Sequence, residues 1–276
     1  MSNKDWKKTR VIYWSDEIND DFDEVGLKRP PVPENYKYKR TNPIGNFFFA
    51  ILYHGLAKPI LGVYCWAKGI RYVGKDNLKK LEGKGAFLYC NHTAITDVFK
   101  FQSQCFFLHR RVNILGYSDT LTMPFVRGLA RGLGYLPVPL KGDIKNLTAL
   151  GEACKWYVVD KRQYVLIYPE AHIWPYYTKV RNFKSGSFNY PANSNAPVVP
   201  IVTTWRKPKI GKKPKQTVLI GAPIFPRDDL SMTDNKNYLY EECLSAMKKM
   251  SESVEQFEYI TYIKKEDWTS VKFYLK

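Results

Sequence analysis

Cysteine is scarce: the chain has five, at positions 65, 90, 105, 154 and 243, an odd number and never spaced as a CxxC pair. Neither a disulfide framework nor a zinc site is expected from that pattern, and a reducing, cytosol-facing environment is the simplest reading. The N-terminus, "MSNKDWKKTRVIYW", lacks the continuous apolar segment of a secretory signal, so no export is expected. Acidic residues are in the minority, 26 against 43 basic ones, which leaves a formal charge of +17. There is no internal repeat and no recognition-helix, RNP-like or OB-type pattern, so nucleic acid is not expected as a partner despite the charge.

Aromatics are abundant, with 20 Tyr, 15 Phe and 7 Trp. Rings with an apolar body and a polar tip suit a membrane interface as well as a core. A surface this basic collects anions: nucleic acid, acidic lipid headgroups or a phosphorylated acyl carrier.

The chain divides in three. Residues 1–42 form a polar tail, in which the acidic "SDEINDDFDE" is followed by the basic, Pro-rich "KRPPVPENYKYKR". Such opposite-sign blocks are usually solvated or folded back onto the body, with no chemistry of their own. Residues 43–74 are apolar and aromatic, and from Phe47 to Ala67 the only strongly polar residues are His54 and Lys58. Lys58 and Pro59 argue against a simple transmembrane span and for two short helices, Phe47–Ala57 and Pro59–Lys68, dipping into one leaflet. The chain is thereby expected on the cytoplasmic face of a membrane, peripheral or monotopic.

Residues 75–276 alternate between apolar runs and helix-like segments, ending in a helix and a basic tail. The runs "GAFLYC" (85–90), "RVNILGY" (111–117), "GYLPVPL" (134–140), "QYVLIYP" (163–169), "APVVPIVTTW" (196–205) and "QTVLIGAPI" (216–224) read as strands. Helices are expected over Thr96–His109, Leu121–Leu133, Ile144–Lys161, Ser185–Asn195 and Asp234–Gln256. Continuous rather than alternating hydrophobicity predicts an α/β domain, its mostly parallel sheet flanked by helices on both faces.

Ligands in such sheets bind beyond the carboxyl ends of the strands. His92 falls just past "GAFLYC" and Glu170 just past "QYVLIYP". In one continuous helix, His92 and Asp97 would point about 140° apart. With His92 in the strand-to-helix turn and Asp97 in the first helical turn they can meet. The carboxylate would then fix the imidazole and leave its other nitrogen free as a general base. No cysteine has an evident base partner, although Cys90 is two residues from His92.

The ordered stretches "YCNHTAITDVF", "GLGYLPVPLKGD", "VLIYPEAHIWP" and "FKSGSFNYPANSNAPVVPIV" carry a resemblance over residues 44–225. They resemble the lysophospholipid acyltransferase family (1-acylglycerol-3-phosphate acyltransferase-like). Its Asn-His, four residues, Asp block is matched by Asn91, His92 and Asp97, and its aromatic-Pro-Glu block by Tyr168, Pro169 and Glu170. The resemblance implies transfer of a fatty acyl group from acyl carrier protein or coenzyme A to a lysophospholipid hydroxyl. The first acceptor it suggests is 1-acylglycerol-3-phosphate, with His92 as base, Asp97 as its partner, and backbone amides near the turn stabilising the oxyanion. No metal, cofactor or acyl-enzyme is implied.

Two departures bear on the acceptor. Ala171, His172 and Ile173 stand where the family has Gly-Thr-Arg, and Leu140 and Lys141 stand where an Arg usually follows the "PV" strand. In the family those arginines are associated with the acceptor's phosphate. Lys141, Lys179, Arg181 and Lys184 lie nearby as substitutes, and Asn91, Glu170 and His172 complete the expected binding set. His172 is open to three roles: orienting Glu170, contacting the acceptor, or packing. The alternative is the same chemistry on a different, phosphate-free acceptor.

Overall fold

The computed structural model describes residues 6–22, 29–104, 110–122 and 124–265. Cys105, His109 and the last residues of the helix expected over 96–109 lie outside that set. Nine strands are present among the described residues: β1 (Val11–Trp14), β2 (Arg71–Val73), β3 (Ala86–Cys90), β4 (Val112–Tyr117), β5 (Tyr135–Val138), β6 (Tyr164–Ile167), β7 (Val198–Arg206), β8 (Lys215–Ile220) and β9 (Thr261–Lys264). All six apolar runs form strands. The three-residue and four-residue strands β1, β2 and β9 have no such run to announce them.

Seven strands form one sheet in the order β2-β8-β7-β3-β6-β4-β5. Every pairing in it is parallel except β7 with β8. All five residues of β3 are buried, as a strand covered on both faces requires. Phe87 and Tyr89 face one layer, against Leu150 of the helix Ile144–Lys155 and Leu239, Cys243 and Met247 of the helix Met232–Glu252. Ala86, Leu88 and Cys90 face the other, against Phe101 of the helix Asp97–Gln104. The result is an α/β fold with a mostly parallel central sheet flanked by helices.

The N-terminal apolar stretch differs from expectation. It is one continuous helix, Pro43–Ala67, of 25 residues, long and apolar enough to cross a membrane. The break expected at Lys58–Pro59 is absorbed by a π-helical turn over Leu52–Ala57, in which Lys58 N donates to Tyr53 O five residues back. That widening accommodates the proline, which has no N–H and would otherwise crowd the preceding turn. It also adds a residue to the turn, rotating Lys58 inward so that its buried ammonium lies 5.9 Å from the centre of the Tyr53 ring. The charge that argued against a membrane-facing helix is therefore on the protein side. Ile44, Phe47, Phe48, Ile51, Ile60 and Trp66 remain exposed, Phe47 and Phe48 at 65% and Trp66 at 81%.

The acidic block also has a structural part. β1 pairs in parallel with β9, and Trp14, Phe22 and Tyr262 surround the buried Trp174 at 5.4, 5.2 and 5.1 Å between ring centres. Trp174 Nε1 donates to Asp20 O at 2.8 Å. The tail segment is thereby fastened over the loop that follows Glu170.

Candidate active site

β3 ends at Cys90, and the chain turns through Asn91–Thr96 before the helix that begins at Asp97. Within that turn His92 Nδ1 meets Asp97 Oδ2 at 3.2 Å, the approach the five-residue spacing allows only in a strand-to-helix turn. Tyr168, at the end of β6, stacks on the imidazole at 4.2 Å and 20°. One nitrogen is thus oriented by a carboxylate, the ring plane is fixed by an aromatic face, and Nε2 is left for chemistry. His92 also lines a cavity of about 990 Å³.

Asp97 is fully buried, and its two oxygens have separate tasks. Oδ2 accepts from the amides of Thr93 and Ala94 at 2.8 and 2.9 Å as well as meeting His92. Oδ1 accepts from Lys100 Nζ at 2.6 Å and Gln216 Nε2 at 3.3 Å. Lys100 is itself fully buried and donates to Thr203 Oγ1 at 2.7 Å. Burial pushes the Asp97 carboxyl up, but the Lys100 ammonium and His92 more than offset it and hold the group well below the usual carboxylate range.

Glu170 locks the other side of the turn. Oε2 accepts from the His92 amide at 3.1 Å and from Arg181 NH2 at 3.1 Å, and Oε1 from the Arg181 amide at 2.9 Å. Burial raises its carboxyl, opposed by Arg181 and these amides. Ala171 follows with φ of 60°, the left-handed region where a Cβ costs about 1–2 kcal/mol. The position where the resembled family has Gly thus keeps the backbone that favours Gly.

The other residues expected at the site fall in different places. The amides of His92, Thr93 and Ala94 donate to Glu170 and Asp97. Asn91 is buried and clamps β3 to β7, its amide donating to Thr203 O at 3.0 Å and accepting from Thr203 N at 2.7 Å. Arg181 is buried rather than offered to a phosphate, and it holds Glu170, the His172 carbonyl and, at 3.0 Å, the Glu17 carbonyl. Lys141 and Lys184 are exposed and do not line the cavity. Glu170 likewise stands behind the turn rather than in the cavity.

His172 does line the cavity, with Nδ1 3.2 Å from Asp21 Oδ2. Asp21 and Arg29, both from the tail set aside as having no chemistry, line it too. The Arg29 guanidinium lies 3.4 Å from the centre of the Tyr117 ring. Ile114, Leu115, Val138, Leu147 and Ile167 make other parts of the wall apolar. Lys100 carried a weak sequence signal, a lysine three residues after Asp97 on one helical face. Arg29 and Asp21 carried none.

Cys90 lies beneath the turn, and burial pushes its thiol up to about 12, so it is not a thiolate nucleophile near neutrality. Among the described residues no group of His, Cys, Asp and Glu is arranged to hold a metal ion.

A family model described as Acyltransferase matches residues 69–204, the stretch that supplies His92, Asp97, Glu170 and all but one of the sheet's strands. Among solved structures, the crystal structure of the 1-acyl-sn-glycerophosphate (LPA) acyltransferase PlsC from Thermotoga maritima is similar at 16% identity, covering 77% of this chain and 96% of that one with a TM-score of 0.49. No curated protein matches the sequence. Residues 69–204 thus match the acyltransferase family model, and the ordered motifs within them are those that resemble the lysophospholipid acyltransferases.

Proposed function

We propose that this chain is an O-acyltransferase of glycerolipid metabolism that moves a fatty acyl group from acyl carrier protein or coenzyme A to the hydroxyl of a lysophospholipid. The observation that carries the reading is the His92–Asp97 pair opening onto a cavity with both apolar and charged walls. His92 Nε2 takes the proton of the acceptor hydroxyl as its oxygen attacks the thioester carbonyl carbon. The tetrahedral intermediate collapses, the C–S bond breaks, and the imidazolium returns the proton to the departing thiolate. Asp97 stabilises the imidazolium in between, and no covalent enzyme intermediate or cofactor is required. An acyl chain suits the wall of Ile114, Leu115 and Ile167, and the headgroup suits the end bearing Arg29 and His172.

The exposed face of the Pro43–Ala67 helix suits the leaflet from which both lipids come, with the protein on the cytoplasmic face, peripheral or monotopic. The opposite face, with Tyr53, Lys58 and Cys65, is buried on the protein, which favours a helix lying along the interface over one crossing it.

1-Acylglycerol-3-phosphate is the first acceptor to test. A second reading, a phosphate-free acceptor, is favoured by Asp21 and Asp119, two carboxylates that line the same cavity as Arg29, the one lining arginine among the described residues. Labelled acyl thioester offered with lysophosphatidic acid and with monoacylglycerol separates the two. Under the first reading lysophosphatidic acid is acylated and Arg29→Ala raises its KM at least about tenfold, the loss of one charge-assisted contact. Turnover of monoacylglycerol alone, indifferent to Arg29→Ala, selects the second.

A further inference from the structure

The segment joining β7 to β8, "RKPKIGKKPK" (206–215), carries Arg206, Lys207, Lys209, Lys212, Lys213 and Lys215 and no acidic residue. β7 runs parallel to β3, so this hairpin leaves the sheet at the same carboxyl edge from which β3 delivers His92. Its base is seated on the C-terminal end of the Pro43–Ala67 helix. The Arg206 guanidinium donates to the Gly69 carbonyl, and a Cβ on Gly69 would meet the Lys215 side chain at 3.0 Å. Arg71, two residues beyond Gly69, is in register with Thr217 of β8, which brings Lys68 and Arg71 to the same place.

Among the described residues, none of these eight cations is in an ion pair with a carboxylate. Like charges gathered without acids repel one another, and only an anionic partner relieves that. The turn also presents an apolar tip, Ile210, which is 91% exposed; Trp66, whose carbonyl accepts from the Gly69 amide, is 81% exposed. An isoleucine and a tryptophan with lysines and arginines that have no carboxylate partner among the described residues, near the end of an exposed apolar helix, match a layer of acidic headgroups over hydrocarbon.

We propose that the 206–215 hairpin is a second membrane contact, specific for anionic lipid, that acts with the Pro43–Ala67 helix to hold the active-site edge of the sheet against the leaflet. This rests on the reading of that helix as membrane-facing and is independent of acceptor identity. An acidic carrier protein is the competing partner for the same charge, but it gives no use to Ile210 and Trp66.

The test is vesicle co-sedimentation of the full chain, with phosphatidylcholine alone and with phosphatidylcholine plus phosphatidylglycerol. The quadruple variant Lys207→Glu/Lys209→Glu/Lys212→Glu/Lys213→Glu changes only exposed side chains and should melt like wild type. At roughly fivefold per cation near an acidic surface, it should lose on the order of 100-fold or more of its partition to the anionic vesicles, with little change on the neutral ones. The wild-type advantage on anionic vesicles should vanish at high salt. Phe47→Ser/Phe48→Ser should weaken binding to both vesicles, and its failure to do so would count against the helix reading and not the hairpin. Unchanged partition of the quadruple variant overturns the proposal. If its turnover then falls with an acyl carrier protein donor and not with acyl coenzyme A, the surface is a carrier-protein dock.

Discussion

Replacing Lys100 by methionine removes the buried cation that contacts Asp97 at the catalytic turn. Its ammonium lies 2.6 Å from Asp97 Oδ1, and both side chains are fully buried. At that separation the direct attraction is roughly 6 kcal/mol for an effective dielectric of about 20. Asp97 keeps its bonds from Thr93, Ala94, Gln216 and His92, so part of that is retained. Removing one partner of a buried pair costs about 3–5 kcal/mol. For a chain of 276 residues this is a fall in Tm of roughly 5–10 °C. The sign with pH follows from Asp97. Its carboxyl is held below its unfolded value near about 4, so the stability it contributes is present above that pH and is lost as pH falls through the depressed folded value. Without Lys100, that acid-side loss is smaller. Calorimetry at neutral pH and at pH values below about 4 measures both effects. The double variant Asp97→Asn/Lys100→Met, with neither charge buried, should recover most of the lost stability while remaining inactive. A Lys100→Met protein that melts within about 2 °C of wild type, or a double variant no more stable than the single, would refute the reasoning.

Other outcomes follow from the same geometry. Cys90→Ala should retain turnover within a few-fold of wild type, because a thiol pushed up to about 12 has no nucleophilic part near neutrality; loss of activity with the fold intact would bring an acyl-cysteine back into consideration. Glu170→Gln leaves Arg181 buried without its carboxylate and should cost about 3–5 kcal/mol in a denaturant melt. It should also lower kcat more than it raises KM, because Glu170 holds the His92 amide rather than the substrate. A Glu170→Gln defect confined to KM would place this carboxylate in the binding site after all.

Six of the sheet's seven strands were legible because each lies in a continuous apolar run, and in β3 and β6 burial on both faces leaves no alternation to misread. β1, β2 and β9 were not, since three-residue and four-residue edge strands such as Arg71–Val73 carry no pattern apart from the partner they find. His92 and Asp97 were legible as a pair because their meeting depends only on a turn five residues long. Arg181 was visible as a cation but not as the buried partner of Glu170, and Lys141 and Lys184 were visible only as nearby charges. Those assignments depend on which side of a loop faces inward. Asp21 and Arg29 were hidden most completely. An acidic block and a basic block look solvated in sequence, and only the pairing of β1 with β9 and the packing of Trp14 and Phe22 on Trp174 bring them to the cavity. At Lys58 the sequence argument weighed a real cost against the wrong geometry, since the π-helical turn moves the charge to the other face.

The central claim is that His92 is the base for acyl transfer. The measurement that tests it most directly is single-turnover transfer of a labelled acyl group from thioester to lysophospholipid by His92→Ala beside wild type, with their melting curves compared. The imidazole contributes general-base catalysis worth on the order of 10²–10⁴ in rate, and the side chain stands partly open at a cavity wall. The account predicts an unchanged melt and a transfer rate at least about 100-fold lower. A His92→Ala protein that folds and transfers the acyl group at near wild-type rate would contradict it.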